Sequence, residues 1–223
     1  MESIFHGDLA SRRGRALAWI DSLFVDHAAL RLIWTNWGVV LPGRMYRCNH
    51  PTPGRLARAR RRFGLKSLIN LRGATRSGSD ALSREQAGHL GLAFIDMPLS
   101  SGRAPSRETL QRLADTLRAA PQPALLHCKS GADRAGFAAA VFLLLEGAPV
   151  ATALGQMSLR HGHLRRSRAG VLDAVLLAFQ RDGEGRMAFT DWVRGVYDAD
   201  AITRRFKAGG WSAFLNDSVL HRE

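Results

Sequence analysis

Lysine is nearly missing from this 223-residue chain: Lys66, Lys129 and Lys207 are the only three, so almost every basic residue is arginine. Cysteine is scarcer still. Cys48 and Cys128 are too few to brace a disulfide scaffold, and a useful free thiol implies a reducing compartment. Acidic residues also fall short, 19 against 32 basic ones, which leaves a net charge of +13. Such a field favours anionic partners, phosphorylated substrates and acidic lipid surfaces among them. The arginine excess travels with many alanines and glycines, so part of it reads as composition bias and nucleic acid is disfavoured as a partner. No long apolar run is present either. The most apolar early stretch, 16–40, is broken by Asp21, Asp26, His27 and Arg31, which excludes a membrane span there. The first residues show no apolar core followed by a small-residue cleavage site, so no signal peptide is expected. These absences together predict a cytoplasmic protein. What remains, 46% hydrophobic and 23% charged, is ordinary globular composition.

The pattern of apolar residues predicts the elements. Leu17, Ile20, Phe24 and Ala28 share one helical face, which predicts an amphipathic helix over 15–31 packed on the domain. "GVVLPGRMYRC" reads as paired strands around Pro42–Gly43. Residues 51–64 open on Pro-Thr-Pro and close on Gly64, as a helix with start and stop signals should. "LKSLINLR" (65–72), "LAFIDMPL" (92–99) and "PALLHC" (123–128) are strand patterns. Helices are expected through residue 90, from an N-cap at Ser106, and along "FAAAVFLLLEG", which is apolar all round and so buried. After residue 134 the strand signals cease, and the stretches to 217 read as further helices. The predicted fold class is α/β: a central, mainly parallel sheet flanked by helices, with a helical C-terminal half.

One segment carries chemistry. "HCKSGADRAG" (127–136) places a cysteine directly after a buried strand and an arginine six positions later, at the start of a buried helix. A phosphate monoester carries two negative charges and needs many donors. The backbone N–H groups of Lys129, Ser130, Gly131, Ala132 and Asp133 can converge into an anion nest, with the helix N-terminus adding its positive end. These residues are small enough to close around an anion, and Gly131 is free to take a positive φ. The same field favours a thiolate at Cys128. Arg134 can grip two phosphoryl oxygens at once in fork geometry.

This Cys-x5-Arg pattern, with His127 before the cysteine, a strand before it and a buried helix after, resembles the signature loop of the protein tyrosine phosphatase superfamily. The compact size and the upstream strands resemble its dual-specificity branch and bacterial relatives, over about residues 39 to 180. The resemblance implies a single phosphatase domain over 1–223, with helical extensions at 1–38 and 181–223. It implies Cys128 as nucleophile, a phosphocysteine intermediate, phosphate held by Arg134 and the 129–133 backbone, and His127 supporting the loop. It implies no cofactor and no metal. Two aspartates compete as general acid. Asp96 lies 32 residues before Cys128 but inside a strand pattern, and Asp133 lies within the loop, as in myotubularin-like lipid phosphatases. Asp133 is narrowly favoured, with a loop-ordering salt bridge to an arginine as its structural alternative. The position after the signature arginine is commonly Ser or Thr in the superfamily; here it is Ala135.

Other features are weaker. Arg72, at the end of a strand, is a candidate phosphate-rim contact. "RHGHLRRSR" (160–168) could meet a second phosphate or an acidic membrane, or be a solvated turn; no neighbouring carboxylate or cysteine makes His161 and His163 a zinc site. The arginines of "RLARARRRFG" read as a solvated helix face, and Cys48 as a buried thiol rather than a redox partner of Cys128. The expected substrate is a phosphorylated protein or an anionic lipid phosphate, with peripheral contact to an acidic membrane as a further expectation. A non-catalytic phosphate-binding module and a rhodanese-like sulfurtransferase are the alternatives, the latter disfavoured by the five-residue spacing.

Overall fold

The computed structural model describes residues 4–5, 7–25 and 34–209. Five strands form one sheet in the order β1-β2-β5-β3-β4: β1 Gly38–Leu41, β2 Met45–Cys48, β3 Ser67–Asn70, β4 Ala93–Asp96 and β5 Ala124–His127. β1 and β2 pair antiparallel through the Pro42–Gly43 turn, and the other three pairings are parallel. The inner strands β3 and β5 are buried at every position, which is why neither alternates strictly between apolar and polar residues. The fold is therefore α/β, a mostly parallel sheet flanked by helices, as the sequence predicts.

Contacts gather the chain into two compact units: the described residues up to Pro98 with Ala120–Gly131, and Leu99–Ala119 with the described residues from Ala132 onward. The first unit holds the sheet, α1 (Arg12–Ile20), α2 (Pro53–Phe63) and α3 (Gly78–His89). Pro53 supplies the preset φ of a first helical position, and Gly64 ends α2 with a left-handed φ of 65°. Leu56 and Ala59 of α2 join Tyr46, Leu65, Leu68 and Leu125 in one apolar cluster. Burying a leucine in such a cluster is worth about 2 kcal/mol.

The N-terminal helix departs from expectation. α1 ends at Ile20 and passes into a wider π turn, Asp21–Val25, which rotates the following side chains off the predicted stripe. Ile20 and Phe24 are exposed, while Ala18, Asp21 and Ser22 are buried; Ala28 lies outside the described residues. Asp21 Oδ2 accepts the Gly78 N–H at 2.7 Å, capping the start of α3, and its Oδ1 accepts the Ile4 N–H at 2.9 Å. A Cβ at Gly78 would lie 2.2 Å from the Ala18 carbonyl oxygen, so only glycine lets α1 approach this closely.

The second unit is helical: α4 (Arg107–Ala119), α5 (Asp133–Leu145), α6 (Val150–Leu154), α7 (Val171–Asp182), α8 (Phe189–Gly195) and α9 (Ala199–Gly209). Ser106 caps α4 by accepting the Thr109 N–H at 3.2 Å. α5 is buried from Ala135 through Leu144, as an all-apolar helix must be. Phe179, Phe189, Trp192 and Tyr197 form a second aromatic core, and the Tyr197 hydroxyl donates to the Pro105 carbonyl at 2.6 Å. Residues 210–217, read from sequence as helical, lie outside the described residues.

Candidate active site

The parallel register aligns the carboxyl ends of four strands. Cys48 pairs with His127, His127 with Asn70, and Asn70 with Asp96. Ligands of open α/β sheets gather beyond this edge, and the chain leaves it here as Cys128.

The residues after Cys128 are held by their carbonyls. The Lys129 oxygen accepts the His50 N–H at 3.3 Å, the Ser130 oxygen accepts Asn36 Nδ2 at 2.9 Å, and the Gly131 oxygen accepts Arg47 Nη2 at 2.5 Å. In a planar trans peptide the next N–H points opposite to the carbonyl. Anchoring the Lys129 and Ser130 carbonyls outward therefore turns the N–H groups of Ser130 and Gly131 the other way. The Gly131 N–H donates to Cys128 Sγ at 3.2 Å. Gly131 takes φ 77°, and a Cβ there would stand 2.7 Å from Asn49 N and 2.8 Å from Cys48 C. Glycine is required on both counts.

Arg47 is fully buried on β2, and Asn36 is buried in the left-handed region at φ 48°. Neither is a candidate in the sequence reading. Their partners lie 84 and 94 residues away, and no local spacing reports such a pairing. His127 is fully buried and packs edge-on to His50, with ring centroids 4.7 Å apart. Cys48 is also buried, and burial first of all pushes its thiol well above the ordinary range.

Asp96 and Arg72 belong to a polar network of the same unit. Arg84 Nη2 donates to both Asp96 oxygens at 2.8 and 2.7 Å, and Asn70 Nδ2 donates to Asp96 Oδ1 at 2.9 Å. Arg84 also pairs with Asp80, whose pKa is raised by burial against the lowering pull of that arginine. His50 Nε2 lies 3.0 Å from the Ser79 carbonyl and must donate to it. Its Nδ1 is then the acceptor for Arg72 Nη1 at 3.1 Å. The structure thus places Arg72 on a histidine of the scaffold.

In the second unit, Asp133 and Arg134 open α5, where the helix dipole favours an anion, and Ala135 is fully buried. Asp133 Oδ1 lies 2.7 Å from His163 Nδ1, and His163 Nε2 lies 2.5 Å from Asp173 Oδ2. The His163 side chain is fully buried. Burial alone would lower its pKa, but the hydrogen bonds to Asp133 and Asp173 outweigh that and raise it to about 9. His163 is therefore an imidazolium at neutral pH, donating through both nitrogens. Arg165 joins Asp173 from the other side at 3.3 Å. One expectation is corrected here: Asp133 is paired with a histidine rather than an arginine. Folding brings two distant carboxylates, Asp133 and Asp173, to His163, but among the described residues no group of three or more such side chains could hold a metal ion. Leu164 of the segment and Leu159 just before it are exposed.

A Cys-x5-Arg loop at the carboxyl edge of a mostly parallel sheet defines a phosphatase of the protein tyrosine phosphatase superfamily, dual-specificity-like branch. The family described as "DSP-PTPase phosphatase fused to NAD+ Kinase" matches residues 44–169, more than half of the chain, and the chain belongs to it. TpbA of P. aeruginosa is similar in fold, with 21% identity, a TM-score of 0.51, and 76% of this chain and 89% of that one covered. A DUF442 protein of Shewanella putrefaciens CN-32 gives 15% identity and a TM-score of 0.50, over 68% of this chain and 97% of that one. The catalytic core of the PP-IP phosphatase SIW14 from S. cerevisiae gives 20% identity and a TM-score of 0.48, over 79% and 93%. No curated protein matches. Among the described residues, no helix is long and apolar enough to cross a membrane.

Proposed function

We propose that this chain is a cysteine-dependent phosphomonoesterase in which Cys128 is the nucleophile. The observation that carries the reading is the set of anchored carbonyls at Lys129, Ser130 and Gly131, with the Gly131 N–H on Cys128 Sγ. Such a loop spends its acceptors on the scaffold and keeps its donors for an anion. In the first step Sγ bonds to phosphorus, the P–O ester bond breaks, and the leaving oxygen takes a proton. Water then attacks phosphorus, inorganic phosphate departs, and Cys128 returns to thiolate. Arg134 and the 129–133 backbone hold the phosphoryl oxygens through both steps; His127 supports the loop from the buried end of β5.

Asp133 is the better proton donor of the two aspartates. Asp96 has both oxygens committed to Arg84, whereas Asp133 engages His163 through one oxygen. Substrates of the family type fit: a phosphotyrosine or other phosphoprotein, or an anionic lipid phosphate. Exposed Leu159 and Leu164 among Arg160, Arg166 and Arg168 support peripheral contact with an acidic membrane. The second reading, a phosphate-binding module without turnover, draws on Ala135 and on the ion pairing of both candidate acids.

Hydrolysis of p-nitrophenyl phosphate under reductant separates the two. Cys128→Ser is expected to reduce turnover to background. Aryl esters need little acid assistance, so Asp133→Asn should slow an alkyl phosphate at least about tenfold more than the aryl one, in the range of general acid catalysis. Asp96→Asn should slow both alike. Wild-type protein that binds phosphate and turns over neither ester would establish the binding module.

A further inference from the structure

A cavity of about 480 Å³ opens in the first unit, within the roughly 300–1,000 Å³ range of small-molecule sites. Its inner wall is apolar: Trp37, Ala59, Phe63 and Leu125 line it, with Trp37 stacked on Phe63 at 4.9 Å between ring centroids. Four arginines of α2 also line it, Arg55, Arg58, Arg61 and Arg62. The positions 55, 58 and 62 recur at helical spacing, so one face of α2 brings three guanidinium groups to one cavity. Arg58, Arg61 and Arg62 are exposed, as a solvated face predicts, yet that face also borders an apolar hollow. The Arg62 guanidinium lies 5.2 Å from the centre of the Phe63 ring. Among the described residues that line it, none is acidic and none belongs to 127–134, so this is not the phosphate loop.

We propose that this cavity binds a single-headed anionic amphiphile, an apolar body carrying a carboxylate or phosphoryl head. The body fills the Trp37–Phe63–Leu125 wall. Arg58 and Arg62 take the head, because the guanidinium fork matches two oxygens of either group, while the arginine stems extend the apolar surface. The proposal is independent of the phosphatase reading.

Calorimetric titration of the full chain with dodecanoate, dodecylphosphonate and neutral dodecanol, all below self-association, tests it. Saturable one-site binding of either anion is expected, the tighter of the two naming the head. Arg58→Glu with Arg62→Glu should weaken that anion at least about tenfold more than it weakens dodecanol, which loses only the apolar surface of the two stems. Ala59→Leu should weaken all three by filling the hollow. Neither anion is a phosphate ester, so p-nitrophenyl phosphate turnover measured on the same samples reports the catalytic reading separately. No saturable binding of either anion, or binding that charge reversal does not weaken, overturns the site.

Discussion

From Lys129 to Gly131 the loop is held through its main-chain carbonyls, by a backbone N–H, an asparagine amide and a buried arginine. Asp133, two residues on, is held through its side chain, by an imidazolium clasped between two carboxylates. The first arrangement contains no group that titrates near neutrality, because guanidinium stays charged and amides have no proton to lose there. The second depends on one proton. Orientation of the phosphate-binding amides should therefore not follow the His163 proton, while the placement of Asp133 should change as pH rises through about 9.

Gly131→Ala strikes the first arrangement hardest. The new methyl would stand 2.7 Å from Asn49 N at a φ of 77°, so either the loop or the end of β2 must move. The expected outcome is loss of p-nitrophenyl phosphate turnover by about a hundredfold or more, with stability reduced by roughly 1–3 kcal/mol of backbone strain. Steady-state kinetics and urea unfolding measure the two. Turnover close to wild type would show that the amides are not aimed by this backbone.

His163→Gln tests the second arrangement. Folding raises the His163 pKa from its ordinary 6.5 to about 9, so its stabilisation is fully present below about pH 6.5. It is lost as pH rises through about 9. The difference in unfolding free energy between wild type and variant should be about 3 kcal/mol larger at pH 6 than above pH 9, following about 1.4 kcal/mol per pKa unit. A difference that does not change with pH would mean that His163 is neutral in the folded chain.

Asn36 gives the smallest and most discriminating effect. Asn36→Ala loses the bond to Ser130 and also leaves a Cβ residue at φ 48°, a cost of about 1–2 kcal/mol. Asn36→Gly loses the same bond while removing that strain. Both variants should lose comparable turnover, about tenfold, and only the alanine should show the larger fall in thermal stability. Unequal losses of turnover at equal stability would separate Asn36 from the orientation of the loop.

The parts of this protein that announce themselves in sequence are those in which neighbours along the chain share one environment. Ala124–His127 within "PALLHC" and Phe137–Leu144 within "FAAAVFLLLEG" are buried at every position, so their composition reports the strand and helix flanking Cys128. The α2 boundaries were legible because Pro53 and Gly64 act on their own backbone. Arg47, Asn36 and His163 were not, because each takes its role from a residue between 30 and 94 positions away. Arg47 looks like any basic residue in an arginine-rich chain, and His163 is embedded in a segment whose composition suggests solvent. The α1 stripe misled for a different reason: a π turn at Asp21 changes the residue spacing, and a buried aspartate takes the place of an apolar contact.

Acid quenching of wild-type protein during turnover of p-nitrophenyl phosphate, followed by peptide mass spectrometry, shows which residue is the nucleophile. One phosphoryl group is expected on the peptide carrying Cys128, and none in the Cys128→Ser variant. Steady turnover with the phosphoryl group on another residue, or with Cys128→Ser as active as wild type, would contradict that role for Cys128.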